Sequence, residues 1–292
     1  MAIVLGPNSY GKAEIRLVHV TRDGGRHDIS DLTVGVTLTG EMTAAHLTGN
    51  NAAVLTTDTQ KNTVFAFAAQ HGVGEIESFA LLLARHFVDS QASIATARVS
   101  VAEHAWDRIA STGHSFARRG SEIRTAEISY DGTTAWAVSG LGGLTVLNSA
   151  GSEFHGYLKD RYTTLVETTD RILATDVTAR WRHTALPLDG GCDWGTSHAE
   201  ARRHLLEAFA ETRSLSLQQT LYAMGSRVLE NRPEIAEVRL ALPNKHHFTV
   251  DLAPFGLKNP NEVLYASDRP YGLIEGTVIR DDAPPAGLAW AA

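Results

Sequence analysis

Cysteine is almost missing. Cys192 is the single thiol among 292 residues, so no disulfide can form within the chain, and a long chain without one fits a reducing compartment. A membrane-length apolar run is missing as well: the patches around Val64 and Leu81 are cut by charge within about ten residues, short of the ~20 a spanning helix needs. Met1 to Asn8 lacks a basic n-region and breaks at Gly6 and Pro7, so it does not read as an export signal, and the last residues carry no Ser-Lys-Leu address. A basic excess is also absent. Lys and Arg number 26 against 33 Asp and Glu, a net charge of −7, which argues against a phosphate-coating role. The expectation is a cytoplasmic protein with neither nucleic acid nor membrane as partner, ending in a mobile tail over 281–292.

Two common chemistries lack their motifs. Thirteen histidines are present, yet there is no His-Glu-x-x-His and no His-x-Glu with Cys-x-x-Cys; His246 and His247, adjacent on an expected strand, should point to opposite faces. The expectation is no metal. The glycines of Gly140-Leu141-Gly142-Gly143 precede a strand and not a helix N-terminus, so they do not form a phosphate-binding loop.

What the chain does contain is a weak internal repeat, revealed by a shift that carries Ile94 onto Ile235. Ile94-Ala95-Thr96-Ala97-Arg98-Val99-Ser100-Val101 then lies over Ile235-Ala236-Glu237-Val238-Arg239-Leu240-Ala241-Leu242. The same shift lays Ile76, Phe79, Ala80, Leu83 and Phe87 over Leu217, Thr220, Leu221, Met224 and Val228, both at helical spacing. It also decides the ambiguous run Thr63 to Ala68, strand-like by propensity, because its mate His204 to Phe209 is made of helix formers. Both are read as helices, with Thr57-Asp58 and Thr196-Ser197 at their N-terminal boundaries.

Alternating apolar residues predict strands around the helix pairs: Ile15–Val20 and Leu32–Leu38 before the first pair, Leu141–Leu147 and Ile172–Trp181 before the second. Further strands are expected around Val99/Val101 and Ile128/Trp136, then around Leu240/Leu242 and Phe248/Val250/Leu252. Each half reads strand, strand, helix, helix, strand, strand. The fold class is α+β: two tandem units over 1–138 and 139–280, each an antiparallel sheet under a helix pair, whose open edges favour closed association.

Isolated polar residues at element ends remain as candidates: Lys12, Thr57, Asp58, Arg171, Gln218, Asn244 and His246. Singly, each reads as ordinary surface. Together with their neighbours they resemble urate oxidases. The resemblance is carried by Tyr10-Gly11-Lys12, by Thr57-Asp58 with Lys61-Asn62-Thr63, and by Leu242-Pro243-Asn244-Lys245-His246. Its most specific part runs from Ser139-Gly140-Leu141-Gly142-Gly143 through Phe154, Tyr157, Tyr162 and Leu165 to Asp170-Arg171-Ile172-Leu173, and the close Ser267-Asp268-Arg269-Pro270-Tyr271-Gly272-Leu273-Ile274 is similar too. Asn148 and Ala150 depart from the usual Lys and Ser or Thr.

The resemblance implies the tunnelling fold (T-fold) with its strand, strand, helix, helix, strand, strand unit, and a homotetramer around a tunnel with sites shared between chains. It implies a cofactor-independent oxidation of urate by O2 and water to 5-hydroxyisourate and hydrogen peroxide. Phe154 would stack under the urate ring and Arg171 fork to it, with Gln218 and the Leu217 backbone on the pyrimidine edge and Asp58 and Thr57 at the five-membered ring. Asn244 would hold O2 or water, and Lys12, Thr57 and His246 would relay protons. Two other readings remain open: a zinc-dependent T-fold enzyme acting on pterins or GTP, and a non-catalytic purine-binding protein.

Overall fold

The computed structural model describes residues 1–186, 188 and 191–291, and of Asp268 in the closing motif the backbone alone. Pro187, Asp189, Gly190 and Ala292, the last residue of the expected tail, lie outside the description. The elements are β1 (Tyr10–Asp23), β2 (Arg26–Gly40), α1 (Thr43–Thr48), α2 (Thr57–His71), α3 (Ile76–Asp89), β3 (Ile94–Arg108) and β4 (Phe116–Tyr130), then β5 (Ala135–Asn148), β6 (Leu173–His183), α4 (Trp194–Glu211), α5 (Leu217–Asn231), β7 (Ile235–Thr249) and β8 (Leu264–Ile279). The expected order is present twice, with α1 an unforeseen addition, and sheet order follows chain order from β1 to β8. Among the described residues no helix is long and apolar enough to cross a membrane.

The chain divides into two compact units, 1–140 with 181–198 and 282–292, and 141–180 with 199–281. In unit 1, β1 to β4 pair antiparallel, and Val34, Val36, Val99, Val101 and Ile128 meet in register on the buried face. On them lie Ile76, Phe79, Ala80, Leu83 and Phe87 of α3 and Val64 and Ala68 of α2. The α3 residues are the apolar stripe read from the sequence, removed from water at roughly 25 cal/mol per Å² of apolar surface. In unit 2, β7 pairs antiparallel with β8, and Leu217, Thr220, Leu221, Met224 and Val228 of α5 are buried like their mates in α3. The repeat is therefore structural: the shift that carries Ile76 onto Leu217 also carries the whole of β3 onto the whole of β7.

Five details differ from the sequence reading. Trp136 belongs to β5, because Asp131 ends β4 by accepting the Thr133 and Thr134 N–H groups at 2.9 and 2.7 Å around Gly132 at φ 91. Val250 and Leu252 are outside any strand, since Asn259 holds the Val250 and Val263 carbonyls at 2.8 and 2.7 Å across a loop. The last strand is β8 instead. The cap of α2 is Thr56, whose hydroxyl accepts the Thr59 N–H at 3.0 Å, so Thr57 is the first helical residue. Asp193 takes the corresponding place ahead of α4, accepting the Thr196 N–H at 3.0 Å. Finally, the tail is seated in unit 1: Ala289 is buried, and a Cβ on Gly287 would stand 2.2 Å from the Trp136 indole nitrogen.

Candidate active site

In unit 2 a long connection between β5 and β6 is folded back on itself. Phe154 and Thr168 exchange backbone hydrogen bonds at 2.8 and 3.0 Å, which closes the loop and brings Phe154 beside Arg171. Arg171 is fixed twice to buried Ser152, through its N–H to the carbonyl (3.0 Å) and its Nε–H to the hydroxyl (3.1 Å). The same stretch positions the start of α5. Ser214 donates its N–H to the Gly151 carbonyl at 2.9 Å and accepts the Glu153 N–H at 2.8 Å. Two residues later the Ser216 hydroxyl caps α5 by accepting the Gln219 N–H at 3.2 Å. The first-turn N–H groups of Leu217 and Gln218 are thus left without intrahelical acceptors.

Phe154, Arg171, Asn244 and His246 line one cavity of about 630 Å³. Tyr157 stacks on Phe154 with centroids 4.9 Å apart and planes 15° apart, and the Arg171 guanidinium carbon stands 5.1 Å from the Phe154 centroid. Arg171 is half-buried and has no carboxylate partner among the described residues, so burial lowers its pKa without a counter-charge. The pKa of His246 is also lowered, first by burial and then by Arg171 and His247, which favours the neutral imidazole. The Asn244 side chain has no hydrogen-bond partner among the described residues.

A register shift between Asn244 and His246 interrupts the β7 ladder here, and His247 lines the cavity together with His246. Strict alternation of adjacent histidines, expected from the sequence, does not hold around such a shift. Leu217 is buried and Gln218 exposed at the start of α5, outside the lining of this cavity. Residues that sequence reasoning missed include Thr168, Phe248 and Asn261 in the wall and Ser152 behind Arg171. No spacing rule marks them, because a folded-back loop and a bulge bring them in. Asn148, one of the departures noted above, donates to the Phe209 carbonyl at 2.9 Å, away from the cavity lining.

Unit 1 holds Lys12, Thr57 and Asp58. Gly11 precedes Lys12 because a Cβ there would lie 1.9 Å from the Val36 carbonyl oxygen, and the ladder slips directly after Lys12, with Glu14 at φ 56. The Leu55 N–H donates to the Tyr10 hydroxyl at 3.1 Å, tying β1 to the segment entering α2. Lys12 lowers the Asp58 pKa electrostatically, after the larger effects of Lys61. Asp58 accepts from Lys61 Nζ at 2.6 Å and from Asn62 at 2.9 Å. The Thr57 hydroxyl and Lys12 ammonium make no hydrogen bond or ion pair among the described residues. Also among the described residues, no group of three or more His, Cys, Asp or Glu side chains converges to hold a metal ion.

The family model described as Uricase matches residues 8–129 and 137–275. A uricase of Arthrobacter globiformis is 53% identical over 289 residues, covering 99% of this chain and 94% of the relative, and one of Danio rerio is 35% identical over 93% of each. The crystal structure of the Arthrobacter globiformis uricase superposes with a TM-score of 0.95 at 52% identity, over the full length of both chains. A uricase from Bacillus fastidious shares the fold at a TM-score of 0.78 and 21% identity, over 96% of each chain.

Proposed function

From the premise that the chain belongs to the uricase family and is a urate oxidase, we propose that the two groups of polar residues described above, one in each unit, form one site, half supplied by each of two chains. Urate is a planar anion bordered by N–H and C=O groups. Unit 2 offers it an aromatic face at Phe154 and an unpaired guanidinium at Arg171, the single observation that carries the reading, since a half-buried cation without a counter-ion suits an anionic ligand. Gln218 and the Leu217 and Gln218 N–H groups, outside that cavity's lining, are assigned in this reading to the pyrimidine edge. From the partner come the start of α2, with the Asp58 and Thr57 N–H groups for the five-membered ring, and Lys12.

Urate supplies two electrons to O2. Urate, O2 and water yield 5-hydroxyisourate and hydrogen peroxide: the water oxygen becomes the new hydroxyl at ring carbon 5, and both oxygens of O2 leave as peroxide. The protein's tasks are to take protons from urate and water, hold the resulting anion, and deliver protons to the reduced oxygen. Thr57 and Lys12, without other partners, are suited to relay them; His246, kept neutral, accepts one through water, and the Asn244 amide holds O2 or the water that replaces it. The reaction needs no cofactor, because the urate anion is itself the reductant. A homotetramer, in the cytoplasm, is the assembly and setting we infer.

Complementation tests the shared site. Lys12→Ala and Arg171→Ala chains, each of much reduced activity alone, are refolded together and urate loss is followed by absorbance against the sum of the two separate chains. Mixed oligomers should regain part of the activity, because some sites then hold both intact halves; mixed oligomers no more active than that sum would sink the shared site. Protein dialysed against EDTA should still consume O2 with urate. Loss restored by one metal would favour the zinc-dependent reading instead.

A further inference from the structure

The shift that carries α3 onto α5 and β3 onto β7 places Glu77 on Gln218 and Glu103 on Asn244. In unit 2 those two amides have no partner among the described residues. Their unit 1 mates sit in a closed ionic cluster. Glu77 is fully buried: one carboxylate oxygen accepts from Arg124 Nη2 at 2.7 Å and the other from the Ser139 hydroxyl at 2.8 Å. Arg124 Nη2 also reaches Glu75 at 2.7 Å, and Glu103 stands directly across the β3–β4 ladder from Arg124. Ser139 lies 3.1 Å from His183 Nε2, whose ring meets Trp194 edge-on at 4.9 Å.

The chemistry of the exchange is directional. A glutamine offers both donors and an acceptor, matching a urate edge that carries both C=O and N–H. A carboxylate offers acceptors alone, matching a group that has N–H donors alone, which a guanidinium is. The long loop that brings Phe154 and Arg171 to unit 2 has no counterpart in unit 1, where β1 and β2 join through Gly24 and Gly25. The Arg124 Nε–H is buried without a hydrogen-bond partner, and Glu103 has none among the described residues, so the group that fills the cluster does not saturate it.

We propose that unit 1 carries a closed copy of the ring-binding site, filled in cis by the Arg124 guanidinium, and that removing Arg124 opens it to a small planar cation of the guanidinium or amidinium type and not to urate. The equivalence to Gln218 and Asn244 rests on the site reading given above. The cluster accounts for one urate site per chain although the fold is repeated.

The test is Arg124→Ala in the full-length enzyme, titrated with guanidinium chloride to 20 mM. The melting midpoint should fall on substitution and then recover by about 3 °C, saturably, as expected for a ligand at roughly ten times its dissociation constant. Equal sodium chloride and equal urea, the neutral isostere, should not restore it. Adding Glu77→Gln should abolish the response. If Arg124→Ala does not fold, Glu103→Gln with Arg124→Ala, which has one fewer unpaired carboxylate, carries the same titration. No recovery, or equal recovery with sodium, overturns the proposal; so does guanidinium competing with urate in the rescued variant. A normal urate KM in Gln218→Ala would instead break the site reading and leave guanidinium rescue standing.

Discussion

The starts of α3 and α5 occupy equivalent places in the two units and treat their polar groups in opposite ways. At α3, Glu77 is sealed from water and bonded to Arg124 and Ser139; at α5, Gln218 is exposed, and in the same unit Arg171 and Asn244 keep unused bonding capacity. A buried group that is fully bonded contributes to one folded arrangement, whereas a polarised group left unbonded is available to a ligand. Unit 1 repeats this division within itself: the α3 cluster is closed, while Lys12 in β1 and Thr57 at the start of α2 remain open. Function should therefore follow the open groups and stability the closed ones, and substitutions on each side can break that rule.

The largest effect belongs to the relay. Lys12→Met should lower kcat by about 10² to 10⁴-fold, the usual contribution of positioned acid–base groups, while an unreactive urate analogue binds nearly as before. A normal kcat across neutral pH would remove Lys12 from the mechanism. Next comes the clamp. Arg171→Ala withdraws a charge-assisted contact to an anion, about 2 kcal/mol for a half-exposed group, so kcat/KM should fall by roughly 30-fold with weaker analogue binding. If only kcat falls, Arg171 acts on the transition state and not as a binding clamp.

On the closed side the sign reverses. Glu77→Leu leaves Arg124 short of a partner and empties the Ser139 bond, so about 3 kcal/mol of stability should be lost with urate KM unchanged. A shifted KM at full stability would show that the closed cluster participates in the site. Smaller again is the pair at the start of α2. Thr56→Ala removes the cap and should cost about 1 kcal/mol with activity kept, whereas Thr57→Ala should lose activity and little stability.

This pair also shows how far the sequence was legible. Periodicity and the repeat located α2, α3, α4 and α5, and four of the expected site residues, Phe154, Arg171, Asn244 and His246, share one cavity, because burial imprints spacing on the chain and chemistry restricts residue type. Which of two adjacent threonines caps the helix was not legible, since both are chemically able and the choice is made by backbone geometry. Thr168 and Asn261 were hidden for a related reason: they reach the cavity through loops whose paths depend on Asn259, Ser152 and Ser214, not on any period. Glu77 was visible as a residue, but its burial became apparent only with Arg124 opposite, 47 positions away.

The smallest effect concerns protons and links the open groups to one another. The pKa of His246 is lowered first by burial and then by Arg171. A histidine whose pKa is lower folded than unfolded contributes no penalty while neutral in both states; as pH falls below the unfolded value near 6.5, the unfolded chain binds the proton more readily and stability is lost. His86, His104 and His204 share that direction, each with burial as the leading cause. Stability should therefore decline as pH drops below about 6.5, and kcat should decline in the same direction once His246 is charged and unable to accept a proton. Arg171→Ala tests the electrostatic share. With the neighbouring cation gone, the His246 ring proton resonance should titrate at higher pH than in the unsubstituted enzyme, while that of His86 in unit 1 stays where it was. Equal titration of His246 in both proteins would mean that burial and His247, and not Arg171, set its charge, and the electrostatic link between the two open groups would fall.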